Sequence, residues 1–394
     1  MNIATDEFGN PFIILREQEE KKRLKGANIT AAKAVADSLR SSLGPKGMDK
    51  IIVGPDGDIT VTNDGATILD RMQIKHQCAK LLVDLSRSQD AEIGDGTTGV
   101  VILAGNLLSE ALRLIDKGLH PLRVADGFEA AAQIAVKCLE EAAIEKDVLG
   151  ADQDLLRQTA KTALGSKVVS SCKEKLADLC VQAVLAVADK ERKDVNLDMI
   201  KLDGRAGGLL EQSTLVRGIV LHKDLSHSQM RCGNARAVTL VLYGGTQMLV
   251  AEAERSVHDA LCVVSALVRD GRVVAGGGAA EIAAARAVEN QADTVPSVGQ
   301  YAARAFADAL LGLAEALAAN SGLSPIHEVQ RVKALQQQTN CPYYGIDCMQ
   351  TGTNDMREQQ VWEPLASKKQ QILLASQVVK MILKIDDVIC PNEE

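Results

Sequence analysis

The chain has 394 residues, of which 46% are hydrophobic but only 2% aromatic, and a formal net charge of −8. This length exceeds what a single hydrophobic core usually fills, so we expect more than one domain. The scarcity of aromatic residues implies a helix-rich core of Ala, Val, Leu and Ile. The interspersed charges exclude the clustered basic face of a nucleic-acid-binding protein.

The spacing of the cysteines and the hydropathy of the sequence indicate the cellular compartment. The 9 cysteines show no CxxC pair and no zinc-type spacing with the 6 histidines, so we expect buried, reduced thiols. The N-terminus carries acids and no long apolar core, and no segment offers about 18 consecutive apolar residues. The sequence therefore predicts a cytoplasmic protein without a membrane partner.

The N-terminal part predicts helices interrupted by one hairpin. PFIIL at 11–15 has the composition of a short strand, and apolar residues at i+3 and i+4 steps predict a helix from Ile29 to about Leu43. Apolar runs on both sides of the turn PDGD predict a β-hairpin over 51–65. Further helices are predicted at 66–72, at 75–89, over the apolar run after GDGTT, and from Pro121 to about Ala143.

The middle of the chain is mixed, and the C-terminal part is helical again. Two helices separated at Gly165-Ser166-Lys167 precede three predicted strands and an amphipathic helix that ends at Gly271. The strands are predicted at 199–204, 213–221 and 237–245, the amphipathic helix at 247–269, later helices from 276 to about 338 and near 366–383, and a final strand in KIDDVIC. Helices at both ends around an α/β section suggest one domain built from both chain ends, with another inserted.

Four glycine-bearing turns are candidate ligand sites: LGP at 43–45, NDG at 63–65, GDGTT at 94–98 and GGGAAE at 276–281. Glycine lets backbone amides approach a phosphate, and a helix N-terminus adds free N–H donors. A carboxylate such as Asp95 would repel bare phosphate, so it implies Mg²⁺ between them. Each turn alone is more often a cap or a bend, but the four together favour nucleotide binding. Because GxxxxGK[ST] is missing and GGGAAE is not the GxGxxG of a dinucleotide fold, the site would be of another kind.

Longer motifs carry a resemblance to a known family. LGPKGMDK, VTNDGATIL, DAEIGDGTTGVVILAG, ERSVHDAL, VVAGGGAAE and WEPLASKKQQI resemble the group II chaperonins in order and spacing, over essentially the whole chain. The resemblance implies a multidomain, mainly α fold with small α/β parts, in which a helical equatorial domain joins an intermediate domain. It divides the chain into an equatorial part at 1–147, an intermediate part at 148–217, a junction at 218–235, a second intermediate part at 236–270 and a second equatorial part at 271–394.

The chain departs from that family because the apical domain is absent. KDLSHSQM passes straight to RCGNARAVTL, which places the missing segment at about Met230 to Cys232, and a smaller deletion is expected near Gly26-Ala27. Two explanations stay open: the apical residues are left out of this piece of the chain, or the natural protein lacks them. No turn sequence joins the predicted strands on either side of the missing segment. The first explanation is therefore favoured.

The resemblance also implies a role for individual residues at an ATP/ADP and Mg²⁺ site. Asp64 and Asp259 would be catalytic and hold the attacking water, and Asp95 would be the metal ligand. From the sequence alone, Asp259 is typical of a solvated helix face. The residues implied to bind nucleotide are Leu43, Gly44, Pro45, Gly65, Gly96, Thr97, Thr98, Lys167, Gly277, Gly278, Asp347 and Glu363.

The implied function is an ATP-dependent folding subunit. Its partners would be paralogous chaperonin subunits in a hetero-oligomeric double ring, and non-native client proteins such as actin and tubulin. One alternative is a structural ring subunit that binds nucleotide with little hydrolysis, and another is a free-standing kinase or ATPase. The strand-like chain ends would pair with a neighbour's hairpin at 51–62 or form a private sheet, and the sequence leaves both open.

Overall fold

Helices dominate the fold, and the strands form small sheets between them. The computed structural model describes residues 3–5, 11–13, 15–54, 57–146, 148, 153–189, 191–221 and 237–386. The helices are α1 (Leu15–Leu39), α2 (Gly65–Arg71), α3 (Gln77–Glu92), α4 (Thr97–Asp116), α5 (Pro121–Ala142), α6 (Gln153–Leu164), α7 (Lys173–Val187), α8 (Gln247–Asp270), α9 (Ala279–Gln291), α10 (Gly299–Asn320), α11 (Pro325–Thr339) and α12 (Leu365–Lys384). The strands are β1 (Ile3–Thr5), β2 (Pro11–Ile13), β3 (Lys50–Val53), β4 (Ile59–Thr62), β5 (Ile144–Glu145), β6 (Ile200–Ala206), β7 (Thr214–Arg217), β8 (Val238–Gly244), β9 (Arg272–Ala275) and β10 (Trp362–Pro364).

Helix α4 lies inside the larger of two hydrophobic cores. Its Leu103, Leu107 and Leu108 are fully buried, and it packs against α1, α3, α10 and α12. A Cβ on Gly105 would lie 2.3 Å from the Cβ of Ala36, so this glycine lets α1 and α4 approach closely. By length and composition α4 could cross a membrane, but most of it is buried in the protein. The helix is therefore a core helix, as its all-round apolar pattern predicts.

The smaller core forms between α6, α7, α8 and a three-stranded sheet. Strand β8 is central, with β6 parallel and β7 antiparallel to it. Nearly every residue of β8 is buried, as expected for a strand covered on both faces. Leu156, Val184, Leu240 and Val257 pack together here. These residues come from segments far apart in sequence. The segments before residue 222 and after residue 236 therefore share one hydrophobic core.

A second three-stranded sheet brings the C-terminal segment beside the glycine turn at 276–278. Strand β9 pairs antiparallel with both β5 and β10, and Glu363 lies opposite Val274 in the register. The amide of Gly276 donates to the carbonyl of Val361 at 3.1 Å. Backbone hydrogen bonds alone therefore fix the position of Glu363 relative to GGGAAE.

Most predicted elements are confirmed. Strands β3 and β4 form the hairpin, α6 and α7 are separated at residues 165–167, and α8 ends at Gly271 with φ 68°. The predicted start of the first helix is wrong, because α1 begins at Leu15 and runs through REQEEKKRLKG without a break at Gly26-Ala27. Glu, Lys, Arg, Gln and Leu are good helix formers, so their charge does not oppose the helix. Strand β7 is also shorter than predicted, since it spans only Thr214–Arg217.

The N-terminal strand pairs within the chain. Strand β2, inside PFIIL, forms an antiparallel hairpin with β1, and β3–β4 is a separate two-stranded sheet. Residues 387–390 of KIDDVIC and the junction near Met230 to Cys232 lie outside the described residues. The predicted domain boundaries stay predictions.

We expect Leu107→Ala to lower the free energy of unfolding by about 2–5 kcal/mol, because it removes a fully buried side chain and leaves a cavity in the larger core. Urea unfolding followed by circular dichroism measures this. Leu122→Ala, at an exposed leucine of α5, is the matched control and should change stability by no more than about 0.5 kcal/mol. Equal effects of the two variants would contradict the burial of α4.

Candidate functional site

A cleft of about 510 Å³ is lined by residues of both hydrophobic cores. The larger core contributes the turns at 42–45, 63–64 and 95–99, and the smaller core contributes α6, the turn at 165–167 and part of α8. Of the residues predicted from the sequence, the structure brings Leu43, Gly44, Pro45, Asp64, Asp95, Gly96, Thr97, Thr98, Lys167, Asp259, Gly277 and Glu363 to its lining. Gly65, Gly278 and Asp347 are not among the lining residues.

The N-terminus of α4 opens on this cleft without a side-chain cap. Gly96 is its N-cap residue, with φ 77° and no side chain that could bond to the first turn. A positive φ of this size is readily adopted only by glycine. The first N–H groups of α4, at Thr97 and Thr98, therefore present donors and the positive end of the helix dipole to the cleft.

Asp64 connects two helix starts. It is the N-cap of α2, where its Oδ2 accepts from the N–H of Thr67 at 2.9 Å and from the Thr67 hydroxyl at 2.7 Å. Its Oδ1 accepts from the Thr97 hydroxyl at 2.9 Å. Burial alone would raise the pKa of Asp64, but the ammonium of Lys167 and these hydrogen bonds hold it below its ordinary value. Asp64 is therefore a fixed, ionised carboxylate.

Gly65 lies behind the cleft, where it sets the spacing of these two helices. A Cβ at this position would lie 2.8 Å from the backbone nitrogen of Thr98 and 2.7 Å from its hydroxyl. Any larger residue would push the start of α2 away from the start of α4. Gly65 thus lets Asp64 reach Thr97, and it shapes the site without lining it.

Lys167 and Asp259 form a buried ion pair across the cleft. The Lys167 ammonium contacts the Asp259 Oδ2, and only 9% and 12% of the two side chains are exposed. Burial raises the pKa of Asp259 to about 8, with the ammonium opposing and Asp64 adding to the rise. Burial would lower the pKa of Lys167, but Asp259, Asp64 and Asp95 together raise it. One buried ammonium is thus shared among three carboxylates.

The backbone holds the Asp95 carboxylate at the mouth of α4. Its Oδ1 accepts from the N–H of Gly96 at 2.7 Å, and its carbonyl accepts from the Gln89 amide at 2.9 Å. Within the described ranges no group of three or more His, Cys, Asp or Glu could hold a metal ion. A hard cation such as Mg²⁺ commonly takes one or two carboxylates and completes its shell with phosphate and water oxygens. Asp95 fits that limited role.

The opposite wall is formed by LGP and the segment around 346–348. Asn320 donates to the carbonyls of Arg40 and Leu43 at 2.9 and 2.8 Å, which anchors the turn before Gly44. Ile346 and Cys348 line the cleft, but the Asp347 carboxylate is engaged within its own loop. It accepts from the N–H of Gly352 at 2.8 Å and from the Thr351 hydroxyl at 3.1 Å. The role of Asp347 in nucleotide binding stays a prediction.

Several polar residues that no sequence motif singled out also fix the site. The Asn63 amide donates to the carbonyl of Ser166 at 2.9 Å and so connects NDG to the turn that carries Lys167. Lys368, at the start of α12, contacts Glu363 and Glu281 at 2.7 and 2.5 Å. Asn63 is the first residue of NDG and Lys368 lies inside WEPLASKKQQI, but only the fold shows which groups they contact.

Comparison with known proteins identifies the family. The profile of the TCP-1/cpn60 chaperonin family matches residues 35–235 and 230–393, which is nearly the whole chain. The chain therefore belongs to the TCP-1/cpn60 chaperonin family, as the motifs predicted. Members of this family are ATPases.

Two kinds of relative are similar to this chain. The T-complex protein 1 subunit epsilon of Encephalitozoon cuniculi is 30% identical over 529 residues, covering 98% of this chain and 99% of the relative. The thermosome subunit of Pyrococcus abyssi is 31% identical over 524 residues, covering 98% and 95%. The thermosome subunit of Methanopyrus kandleri is 32% identical over 502 residues, covering 93% and 92%. GIDCMQTGTNDM and MILKIDDV suggested the epsilon subunit of the eukaryotic cytosolic chaperonin TRiC/CCT, but the similar identities leave that subunit type a prediction.

The alignments also bear on the missing segment. Each is longer than this chain, so each relative has residues without a counterpart here. The two profile matches meet at 230–235, where the sequence predicts the absent apical domain. The fold accordingly contains the helical and intermediate parts of a chaperonin.

We expect Lys167→Met to lower the free energy of unfolding by about 3–5 kcal/mol at about pH 8, because it leaves three carboxylates without their buried ammonium. The variant should recover stability towards about pH 5. Burial keeps the pKa of Asp259 above its ordinary value of 3.8, so the folded variant holds a proton that the unfolded chain releases. Stability is then lost as the pH rises. Denaturant unfolding at both pH values measures this.

Two further variants sharpen that test. Asp259→Asn should cost less than Lys167→Met, because Lys167 keeps Asp64 and Asp95 as partners. Arg304→Met breaks the exposed pair with Asp293, whose side chains are 58% and 76% exposed, and should cost less than about 1 kcal/mol. A Lys167→Met cost no greater than that of Arg304→Met would show that the buried pair does not hold the cleft.

Proposed function

We propose that this chain is an ATP-dependent protein-folding subunit of a double-ring chaperonin and that it hydrolyses Mg-ATP in the cleft described above. The observation that carries the proposal is the meeting of an uncapped helix N-terminus with Asp64, Asp95 and the Lys167–Asp259 pair in one cleft. Family membership supports it, since chaperonins are ATPases.

The start of α4 suits the phosphates of a nucleotide. Gly96, Thr97 and Thr98 offer N–H groups and hydroxyls at the positive end of a helix dipole, which is an anion-binding arrangement. Lys167 adds a buried positive charge at the same end of the cleft. Gly44 and Gly277 line the cleft where backbone can approach a ligand closely.

Asp95 would supply the protein carboxylate to Mg²⁺. When bound, the metal would neutralise negative charge that the protein alone cannot balance. The hydrogen bond from the Gly96 N–H to Oδ1 fixes the carboxylate, and Oδ2 would be the oxygen that holds the metal.

Asp64 and Asp259 would position and deprotonate the attacking water. Asp64 is ionised and held by Thr67 and Thr97, which suits a positioning role. Asp259, with a pKa of about 8, exchanges its proton near neutral pH, where a general base is most effective. It lies on α8 in the smaller core, so any movement between the cores would move it relative to Asp64 and couple hydrolysis to closure.

Assembly and clients belong to the same proposal. The exposed apolar side chains of the β3–β4 hairpin, Ile51 and Val53 among them, suit a contact with a neighbouring subunit. The relatives named above are subunits, which supports paralogous partners in a cytoplasmic ring. An epsilon-type subunit would close that ring over clients such as actin and tubulin.

One observation favours a second function, that of a ring subunit that binds nucleotide with little hydrolysis. Lys167 engages the Asp259 carboxylate in this structure. An ammonium partner stabilises the ionised carboxylate and so makes it a weaker base towards water. If the pair persists when nucleotide is bound, the site binds and signals but turns over slowly.

We expect Asp259→Ala to lower ATP turnover at this site by at least about 100-fold, because the general base is lost. Nucleotide affinity should change little. Phosphate release from the purified protein and calorimetric titration with ADP and Mg²⁺ measure the two quantities. The control is Asp84→Ala at an exposed carboxylate of α3. Unchanged turnover in Asp259→Ala, with wild-type turnover well above background, would refute the catalytic assignment; negligible wild-type turnover with tight binding would support the second function.

We expect Asp95→Asn to remove the dependence of nucleotide affinity on Mg²⁺, because the amide keeps the size of the side chain but loses the charge that attracts the cation. Calorimetric titration of ADP with and without Mg²⁺ measures this. The wild type should bind at least about 10-fold more tightly with the metal, and Asp84→Asn should behave as the wild type. An Asp95→Asn variant with an undiminished metal effect would rule out this ligand.

A further inference from the structure

The thiol of Cys262, on α8, packs against the first glycine of GDGTT. A Cβ added to Gly94 would lie 2.4 Å from the Sγ of Cys262 and 2.6 Å from its Cβ, so only glycine leaves room for this side chain. Gly94 also has φ 73°, which glycine adopts readily. Helix α8 packs in the smaller core, and GDGTT leads into α4 of the larger core. Cys262 and Gly94 therefore form a contact between the two cores.

This contact lies behind the residues proposed for hydrolysis. Cys262 follows Asp259 by three residues, so both side chains lie on the same side of α8. Gly94 directly precedes Asp95, whose carboxylate accepts from the Gly96 N–H at 2.7 Å. Neither Cys262 nor Gly94 is among the residues that line the cleft. The thiol can therefore act on the site only through the position of α8 relative to GDGTT.

The thiol contributes size and shape to this contact, and no charge. Only 9% of Cys262 is exposed, and burial raises the pKa of its thiol to about 12, with Asp259 and Asp90 adding to the rise. The thiol is therefore neutral near pH 7 and a poor nucleophile. Its Sγ lies 3.6 Å from the Nε2 of His258, one turn earlier on α8. Cys262 thus behaves as a small hydrophobic spacer in one orientation.

A packing contact can set the position of α8 where the ion pair of the cleft cannot. Lys167 lies between α6 and α7, and Asp259 lies on α8, so their pair joins elements of the smaller core to each other. Packed atoms attract only at short range, and a gap of about 1 Å forfeits roughly half of that attraction. A misplacement of about 1 Å can also slow a reaction roughly 100-fold. The spacing at Cys262 is therefore of the size that hydrolysis would sense.

We propose that Cys262 is a positioning residue whose contact with Gly94 sets the distance between the proposed base Asp259 and the turn GDGTT. While the contact is made, Asp259 is placed to act on the attacking water. When the contact opens, hydrolysis slows, but the turns of the larger core keep their shape and nucleotide stays bound. The inference rests on the proposed function, because it concerns hydrolysis in the same cleft.

The test varies the size of this side chain and separates turnover from binding. Cys262→Ala should lower ATP turnover about 10-fold, and Cys262→Leu, which is too large for the gap, should lower it about 100-fold. Cys262→Ser has a similar size and should keep most of the turnover. Phosphate release measures turnover. Calorimetric titration with ADP and Mg²⁺ should give affinities within about 3-fold of the wild type for all three variants, since the contact acts on the reaction and not on binding.

A matched control and a double variant test the contact itself. Cys180→Ala removes a thiol of α7 that is fully buried in the smaller core and does not line the cleft. It should lower the urea midpoint of unfolding and leave turnover unchanged. Gly94→Ala should lower both the midpoint and the turnover, because its Cβ would clash with the thiol. Adding Cys262→Ala to Gly94→Ala should recover part of both losses.

Three results overturn the inference. Unchanged turnover in Cys262→Ala would mean that the thiol does not position α8. Equal losses of turnover and ADP affinity in that variant would mean a merely structural role. No recovery in the double variant, in midpoint or in turnover, would mean that Cys262 does not act through Gly94; this arm also decides the matter if Cys262→Leu does not fold. Wild-type protein that binds ADP but does not hydrolyse ATP would instead refute the proposed hydrolysis, and the role of Cys262 with it.

Discussion

The cleft depends on one buried ammonium. Lys167 belongs to the turn between α6 and α7, and it contacts Asp259 on α8 while lying close enough to Asp64 and Asp95 to be stabilised by both. Two of these carboxylates stand on the larger core and one on the smaller. A buried charge is costly unless it is paired, so the ammonium favours the arrangement in which the two cores meet at this cleft. The same contact makes the cleft sensitive to anything that competes for the lysine.

The glycines act by letting backbone segments come together. Gly65 allows the start of α2 to lie against the start of α4, Gly105 allows α1 to lie against α4, and Gly276 makes room for the Glu363 carboxylate. Each contact is closer than a Cβ would permit. The fully buried middle of α4 then holds its N-terminus rigidly. The site is therefore a consequence of how tightly the larger core packs, and a mutation well behind the cleft can alter it.

Local patterns in the sequence predict much of this fold but not its side-chain network. Periodicity locates most of the helices, and the PDGD turn predicts β3–β4. The longer motifs, which contain the four glycine turns, indicate the family. The pattern failed for the start of α1, which was predicted at Ile29 although the preceding charged residues favour a helix. It gave no reason to join Asn63 to Ser166 or Lys368 to Glu281. Such contacts span long stretches of chain, and they depend on the relative placement of elements that no local pattern encodes.

The charges that line the cleft constrain what it can bind. Six carboxylates (Asp64, Asp95, Glu174, Asp259, Glu281 and Glu363) face four ammonium groups (Lys161, Lys167, Lys173 and Lys368). Lys167 and Lys368 are already shared among five of these carboxylates. A triphosphate would add further negative charge to a partly buried region where opposing charge is scarce, so we expect its binding to need a cation that enters with it. The uncapped start of α4 supplies dipoles but no full charge. Dependence on a divalent cation would then be a property of the whole cleft, with Asp95 as the proposed ligand of the cation.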